Sequence, residues 1–235
     1  MKRRYIVGGI AAAIVLLLAA VFLPRLGMIR AARAEKAARA AVAQGSDINF
    51  DALRAENSDI YAWLYIPGAG VSEPLLQREG DSAYYAAHNS MGGADADGAL
   101  FTDSQYSARD FSGLATVIYG KTTWEGRLFS GLQAAYSSAS GLRENSEIIV
   151  YLPGEEIRYT ALAAAPFRNY DISYYFNFNV PARYQTFLDL IRSIRTVDAH
   201  WNDEVEINTS DQLLILSTPR SGTANTSYLV LAKRS

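Results

Sequence analysis

The sequence predicts a mainly β domain, closed as a barrel or folded as a sandwich, that follows an apolar segment and an alanine-rich helix. Two observations predict this class. From Trp63 onward, short runs of β-branched and aromatic residues alternate with Gly and Pro turn residues. Two strands of the buried type, at 212–218 and 228–233, close the chain after one longer helical segment. Many short strands with few helices are typical of barrels and sandwiches.

Composition excludes several kinds of chemistry. The 235 residues carry a net charge of −2, are 49% hydrophobic, and include two His and no Cys. Disulfides, thiolate metal sites and a thiol nucleophile of the chain's own are therefore excluded. Two His leave little room for a His-rich metal centre, and the net charge disfavours nucleic acid as a partner. We therefore expect no metal, no cofactor and no nucleic acid.

Positive charge is concentrated at the N-terminal end. Residues 1–45 hold eight Lys or Arg against a single acid, Glu35, which leaves the rest of the chain acidic. Within this end, residues 5–23 are almost wholly apolar. As a helix they would measure about 29 Å, close to the thickness of the hydrocarbon core of a bilayer. A basic end on an acidic body predicts a membrane-facing end and a solvated body.

The apolar segment is predicted to be an uncleaved membrane anchor in contact with lipid. A cleaved signal peptide is the alternative, but its apolar core would be only about 7–15 residues long. A buried core helix is a third interpretation. The positive-inside rule alone would place the body in the cytoplasm, because five basic residues follow the segment and three precede it. The predicted organisation is a cytoplasmic tail at 1–4, a transmembrane anchor at 5–24, a basic juxtamembrane helix at 25–46 and one domain at 47–235.

Local signals predict the individual elements. The Ala-rich stretch at 28–44 favours a helix that touches anionic lipid headgroups, and Gly45 is suited to end it. A coiled-coil or partner helix is the alternative interpretation of this stretch. The remaining predicted elements are a helix at 50–56, strands within 63–68, 98–103 and 115–120, a hairpin at 147–164 that turns at Pro153 and Gly154, a helix at 181–194, a surface loop around His200, and strands at 212–218 and 228–233.

The order of these segments resembles the class B sortases, the membrane-anchored cysteine transpeptidases of Gram-positive bacteria. Each segment is a weak signal by itself, but six in one order are specific. The segments are NSDIYAWLYIPGAGVSEPLLQ (57–77), Asp81 with YYAAHNSMGG (84–93), GALFTD (98–103), TVIYGKTTWEGRLFSGL (116–132), LLILSTP (213–219) and YLVLAK (228–233).

This resemblance implies a closed eight-stranded β-barrel with N-terminal helices. It identifies the helix at 181–194 with the longer helix that precedes the seventh strand of the family's barrel. It also implies an anchor whose N-terminus stays inside the cell and whose barrel is exposed at the cell surface. We adopt this orientation over the charge rule, and therefore predict a single-pass membrane protein with an extracellular C-terminal domain.

The resemblance further implies three catalytic groups, and none of them is present. The family uses a Cys nucleophile, a His acid–base group and an Arg that holds the carbonyl oxygen. At the matching positions this sequence has Pro219 after LST, Lys121 after IYG and Ser227 before the last strand. Proline has no nucleophile, lysine titrates at about 10.4 unless buried, and serine cannot replace a guanidinium. The sequence therefore predicts a pseudoenzyme that keeps the fold without the chemistry.

Three functions remain open from the sequence. A non-catalytic module would hold a sorting-signal peptide, a pilin-like subunit or a partner sortase in a cleft predicted to be lined by Lys121, Trp124, Ser217, Thr218 and Arg220. Trp124 would otherwise fill the former catalytic cleft. A transpeptidase or hydrolase with a remapped site would use Lys121 to activate Ser217, Thr218, Ser221 or Ser227. A structural membrane protein would use the barrel only as a spacer.

Overall fold

The computed structural model describes residues 25–168, 171–220, 222–223 and 225–235. The tail predicted at 1–4 and the anchor predicted at 5–24 lie outside these residues and stay predictions. Within the described ranges, no helix is both long enough and apolar enough to span a membrane.

Short strands dominate the fold, as predicted. The helices are α1 (residues 25–43), α2 (Phe50–Glu56), α3 (Leu132–Ala135), α4 (Ala139–Glu144), α5 (Ile172–Phe176) and α6 (Pro181–Ser193), with short 3₁₀ turns at Pro67–Ala69 and Tyr84–Ala86. The strands are β1 (Ile60–Ile66), β2 (Val71–Leu76), β3 (Leu100–Thr102), β4 (Ala115–Tyr119), β5 (Glu147–Leu152), β6 (Glu155–Arg168), β7 (His200–Trp201), β8 (Leu213–Pro219) and β9 (Thr226–Arg234).

Eight strands close into a barrel in the order β1-β2-β3-β4-β8-β9-β6-β5, and β5 returns to pair with β1. The β2–β3 and β4–β8 pairs are parallel, and the other pairs are antiparallel. Closure leaves no barrel strand with an unpaired edge, which is the usual way that antiparallel sheets avoid exposed edges. The predicted closed eight-stranded barrel is confirmed.

The ninth strand, β7, lies outside the barrel and corrects one prediction. The surface loop predicted around His200 is wrong, because His200 and Trp201 pair with Ala164 and Ala163 of β6. A register shift in β6 leaves the Leu162 carbonyl free to accept the Asn202 N–H at 2.8 Å. This hydrogen bond, together with the strand pairing, holds residues 200–202 against the sheet.

The barrel strands carry apolar residues on both faces. In β8, Leu214 and Leu216 belong to the cluster that fills the barrel interior, whereas Leu213 and Ile215 belong to a second cluster outside it. The second cluster is covered by α6, whose buried residues are Tyr184, Phe187, Leu188 and Ile191. Burial on both faces explains why β8 reads as a continuous apolar run. The helix predicted at 181–194 is confirmed, begins at Pro181, and precedes the seventh barrel strand.

Helix α1 packs against the barrel instead of standing apart from it. Ala38 and Val42 are buried in a third cluster that includes Leu53 of α2 and Trp63 of β1. The helix ends where Gly45 takes a positive φ of 64° and Ser46 N–H bonds to the carbonyl of Ala41 at 2.8 Å. This is the Schellman-type stop that favours glycine, so the predicted end is confirmed. Contact of the outward face with lipid stays a prediction.

Candidate functional site

A groove of about 370 Å³ opens where β3, β4, β8 and β9 approach their ends. Two loops border it: residues 84–97, which carry Ala86 and Asp97, and residues 121–130, which begin with Lys121. The residues that matter for its chemistry are Tyr85, Asp97, Asp103, Tyr119, Lys121, Asp171, Ser217, Thr218, Pro219 and Ser227. We refer to this cavity as the groove and to its borders as the 84–97 loop and the 121–130 loop.

The three positions that the resemblance assigns to catalytic groups lie together on the groove. Pro219 and Ser227 are direct partners across β8 and β9. Tyr119, at the end of β4, is paired with Ser217 of β8, so Lys121 leaves β4 beside the same end of β8. Strand pairing therefore brings residues 121, 219 and 227 to one cavity although they are distant in sequence.

Lys121 is engaged by the neighbouring loop. Its Nζ donates hydrogen bonds to the carbonyl oxygens of Ala86 at 2.7 Å and Ala96 at 2.8 Å. These two carbonyls stand at opposite ends of the 84–97 loop, so the ammonium ties both ends of that loop to the groove. Because it donates to both carbonyls, the Lys121 ammonium serves here as a hydrogen-bond donor to the protein itself.

Two residues predicted to line the cleft do not line it. Trp124 is fully exposed at the tip of the 121–130 loop, which turns back through a bridge between Thr122 and Leu128. Its side chain therefore does not fill the groove either. Arg220 forms an ion pair with Asp198, Nη2 to Oδ2 2.6 Å, and is absent from the lining. Of the predicted residues, Lys121, Ser217 and Thr218 do line the groove.

Sequence reasoning missed the carboxylates and the buried phenol of the groove. Asp103 is buried and accepts from Ser82 Oγ at 2.6 Å. The Tyr119 hydroxyl lies 3.0 Å from Asp171 Oδ1 and accepts the N–H of Ser173 at 3.0 Å. Burial raises the pKa of Tyr119 well above its usual value, so the phenol stays protonated at neutral pH. The only sequence signal for Asp171 is its place before a short helix, which is typical of a cap.

These residues make the groove anionic. Among the described residues that line it, Asp97, Asp103 and Asp171 carry carboxylates, and Lys121 carries the only positive charge. Stabilising an oxyanion requires donors or cations aimed at the developing negative charge. A surplus of carboxylates opposes that role and favours a cationic group on a ligand.

Thr218 contributes a buried polar atom to the groove wall. The residue is 1% exposed, and its Oγ1 is buried with no hydrogen-bond partner among the described residues. An unpaired buried hydroxyl costs about 1–3 kcal/mol.

Thr218→Val is therefore expected to raise the free energy of unfolding by about 1 kcal/mol, because it removes the unpaired hydroxyl and keeps the shape. Urea denaturation of the full chain in detergent measures the change. Thr102→Val is the matched control: Thr102 is equally buried, but its Oγ1 bonds to Tyr61 at 2.9 Å and Gln77 at 3.0 Å. The control should lose about 1–3 kcal/mol. Equal losses in both variants would contradict the prediction.

Comparison with solved structures identifies the fold. Sortase B of Clostridium perfringens superposes with a TM-score of 0.69 at 19% identity, covering 80% of this chain and 100% of that one. Sortase B of Staphylococcus aureus gives 0.66 at 20% identity, covering 80% and 87%. A Streptococcus pyogenes class B sortase involved in pilus biogenesis gives 0.66 at 20% identity, covering 80% and 98%.

Neither a protein-family model nor a curated protein matches the sequence. The similarity is therefore one of fold, in the arrangement of the strands and helices. The described part of the chain has the fold of the class B sortases.

Proposed function

We propose that this protein is a non-catalytic relative of the class B sortases that binds an extended peptide in its groove without cutting or joining it. The proposal rests on the identity of three residues that line one cavity. Lys121, Pro219 and Ser227 stand together where the family motifs have His, Cys and Arg.

The chemistry of the remaining groups supports inactivity. The sequence holds no thiol. The Lys121 ammonium is engaged by the carbonyls of Ala86 and Ala96, and the Arg220 guanidinium by Asp198. Among the described residues that line it, the groove thus has no thiol, no imidazole and no guanidinium, the three groups that supply sortase acyl transfer.

The remapped enzyme is the weaker alternative. It needs Lys121 to take a proton from Ser217, Thr218, Ser221 or Ser227, yet the Lys121 Nζ already donates to two carbonyls. Ser221 lies outside the described residues. The structural membrane protein would depend on the anchor and the basic helix within residues 1–45, and residues 1–24 also lie outside the described residues. No contact in the described chain favours either alternative.

For the setting we propose a single-pass membrane protein whose barrel faces the cell exterior and contacts a surface protein. The sequence pattern of residues 5–24 supports the anchor. Solved relatives support the partner class: one is a sortase B–substrate complex from Staphylococcus aureus, and another is a Streptococcus pyogenes class B sortase involved in pilus biogenesis. The proposed partners are a sorting-signal peptide, a pilin-like protein or a catalytically competent sortase.

Peptide binding tests this proposal. We expect the full chain to bind fluorescent threonine-containing sorting-signal peptides in an anisotropy titration, and to bind a peptide with a flanking Lys more tightly than one with a flanking Glu. Asp97→Asn should lower the affinity for the Lys peptide about two- to fivefold, which is the range for the loss of one exposed ion pair. Asp97 is exposed on the groove, whereas Asp51 on α2 is exposed away from it, so Asp51→Asn is the control. Absence of binding to both peptides, or any cleavage product, would refute the proposal.

A further inference from the structure

A buried carboxylate on β2 connects the N-terminal helix to the 121–130 loop. Glu73 is 5% exposed. One of its oxygens accepts from Arg39 Nη2 of α1 at 2.6 Å, and the other lies 3.5 Å from Arg127 Nε of the 121–130 loop. Arg39 also donates from Nε to the carbonyl of Ser72 at 3.0 Å. One carboxylate therefore holds two cations from two different segments.

A second carboxylate connects the same helix to the 84–97 loop. Glu35 of α1 is only 9% exposed and accepts a hydrogen bond from the hydroxyl of Ser90. Its other oxygen lies 3.4 Å from Arg39 Nη2. We call this set of five residues, Glu35, Arg39, Glu73, Ser90 and Arg127, the Glu73 cluster.

The Glu73 cluster therefore reaches both borders of the groove from one helix. Ser90 lies in the 84–97 loop, whose ends are held by Lys121. Arg127 lies in the 121–130 loop, which carries Lys121 itself. The two loops are thus joined to each other twice, directly through Lys121 and indirectly through Glu73 and α1.

Burial of the two carboxylates, Glu35 and Glu73, makes the contacts of the cluster interdependent. A buried carboxylate that loses its cation keeps the cost of desolvation and loses the compensation. Burial opposes the charge of Arg127, but the neighbouring Glu73 carboxylate raises the pKa of this guanidinium above its usual value, so the charge is kept. Removing any one member therefore weakens the hold on the others.

We infer that α1 positions the groove: its docking through Arg39 and Glu35 sets the conformation of the 121–130 and 84–97 loops, so that displacement of α1 loosens both. Arg39 is a positioning residue that acts through Glu73, since it does not line the groove. The inference goes beyond peptide binding and does not depend on it. Its test needs no ligand, so its failure is distinguishable from failure of the proposed function.

Hydrogen exchange of the full chain in detergent, followed by mass spectrometry, tests the inference. In Arg39→Ala we expect amides of both loops to exchange roughly tenfold faster, because local opening becomes easier. Suitable reporters are Phe129 N–H, bonded to the Lys121 carbonyl at 3.0 Å, and Asp95 N–H, bonded to Ala87 at 2.9 Å. Exchange in β6 and β9 should be unchanged.

Two controls separate positioning from a general loss of stability. Lys36→Ala removes an exposed charge from the same helix. Arg158→Ala breaks surface ion pairs to Glu147 at 2.6 Å and Glu156 at 2.8 Å, on strands that do not border the groove. Neither should change exchange in the two loops. Faster exchange in every strand of Arg39→Ala, or faster exchange confined to α1, would overturn the inference.

The reciprocal variant tests the link from the other side and keeps the inference falsifiable if Arg39→Ala fails to fold. Arg127 is half exposed, so Arg127→Ala should leave the barrel intact. Because coupling between two sites is reciprocal, its loss should speed exchange in α1 by a factor similar to that seen for the loop in Arg39→Ala. In the double variant, the acceleration of exchange should be smaller than the product of the two single-variant factors, since both substitutions remove a partner of Glu73. Unchanged exchange in α1 would overturn the link.

Discussion

The triple variant Lys121→His, Pro219→Cys and Ser227→Arg is expected to form an acyl-enzyme with a threonine-containing sorting-signal peptide. The three positions line one groove, and Pro219 and Ser227 are direct cross-strand partners. The new thiolate would attack the threonyl carbonyl, the peptide C–N bond would break, and the new imidazolium would give its proton to the leaving amine. We expect release of the amine fragment at least about 10³-fold above the unsubstituted chain, because complete catalytic constellations contribute roughly 10⁶.

Mass spectrometry of the intact protein detects the acyl-enzyme, and chromatography detects the released fragment. Pro219→Cys alone is the matched control: it supplies the thiol without the acid–base group or the guanidinium, so it should react with a thiol reagent but release almost no fragment. Cleavage of the peptide by the unsubstituted chain would contradict the proposed inactivity. An inert triple variant whose new thiol is also unreactive would contradict the convergence of the three positions on an open groove.

Local patterns were sufficient to predict much of the barrel. The hairpin at 147–164 follows from the strand-like runs on either side of Pro153 and Gly154, and the structure has β5 and β6 on either side of that turn. Helix α6 follows from the Pro181 start and the apolar spacing after it. These elements were predictable because their signals lie within one segment. The resemblance then supplied the closure of these strands into an eight-stranded barrel, which no local pattern contains.

The groove was only partly predictable, because side-chain direction depends on loop geometry. Lys121 and Pro219 could be placed from the strands that precede them. Trp124 and Arg220 could not, since Trp124 is carried outward by a turn and Arg220 is held by Asp198, 22 residues earlier in the chain. Asp171 reads as a helix cap in the sequence, and only the tertiary structure puts it on the groove wall.

The docking of α1 was missed for a related reason. Its basic composition predicted a juxtamembrane helix, and composition does not reveal which face is buried. In the structure, the small residues Ala31 and Ala38 allow close approach to the barrel, and the single acid of the helix, Glu35, points to Ser90. Glu73 stands between two apolar stretches of sequence. Its partners Arg39 and Arg127 are 34 and 54 positions away, so no local pattern connects them to it.

Trp63→Ala is expected to cause a large loss of stability. Trp63 is 0% exposed and belongs to the cluster that joins α1 and α2 to the barrel. Its Nε1 donates to Ser72 Oγ at 3.1 Å, and the guanidinium of Arg39 lies 5.6 Å from the ring centroid. Truncating a buried aromatic residue costs about 3–5 kcal/mol, because the lost contacts leave a cavity that the surrounding residues fill only in part.

Urea denaturation of the full chain measures this loss, with two variants as references. Trp63→Phe keeps most of the volume and loses the hydrogen bond, so its cost should be about 1–2 kcal/mol. Trp124→Ala removes a fully exposed ring and should stay within about 0.5 kcal/mol of the unsubstituted chain. The Trp63 variants should also speed exchange in α1, because the same ring supports Arg39. If Trp63→Ala costs less than Trp63→Phe, the ring does not carry the packing of this helix on the barrel.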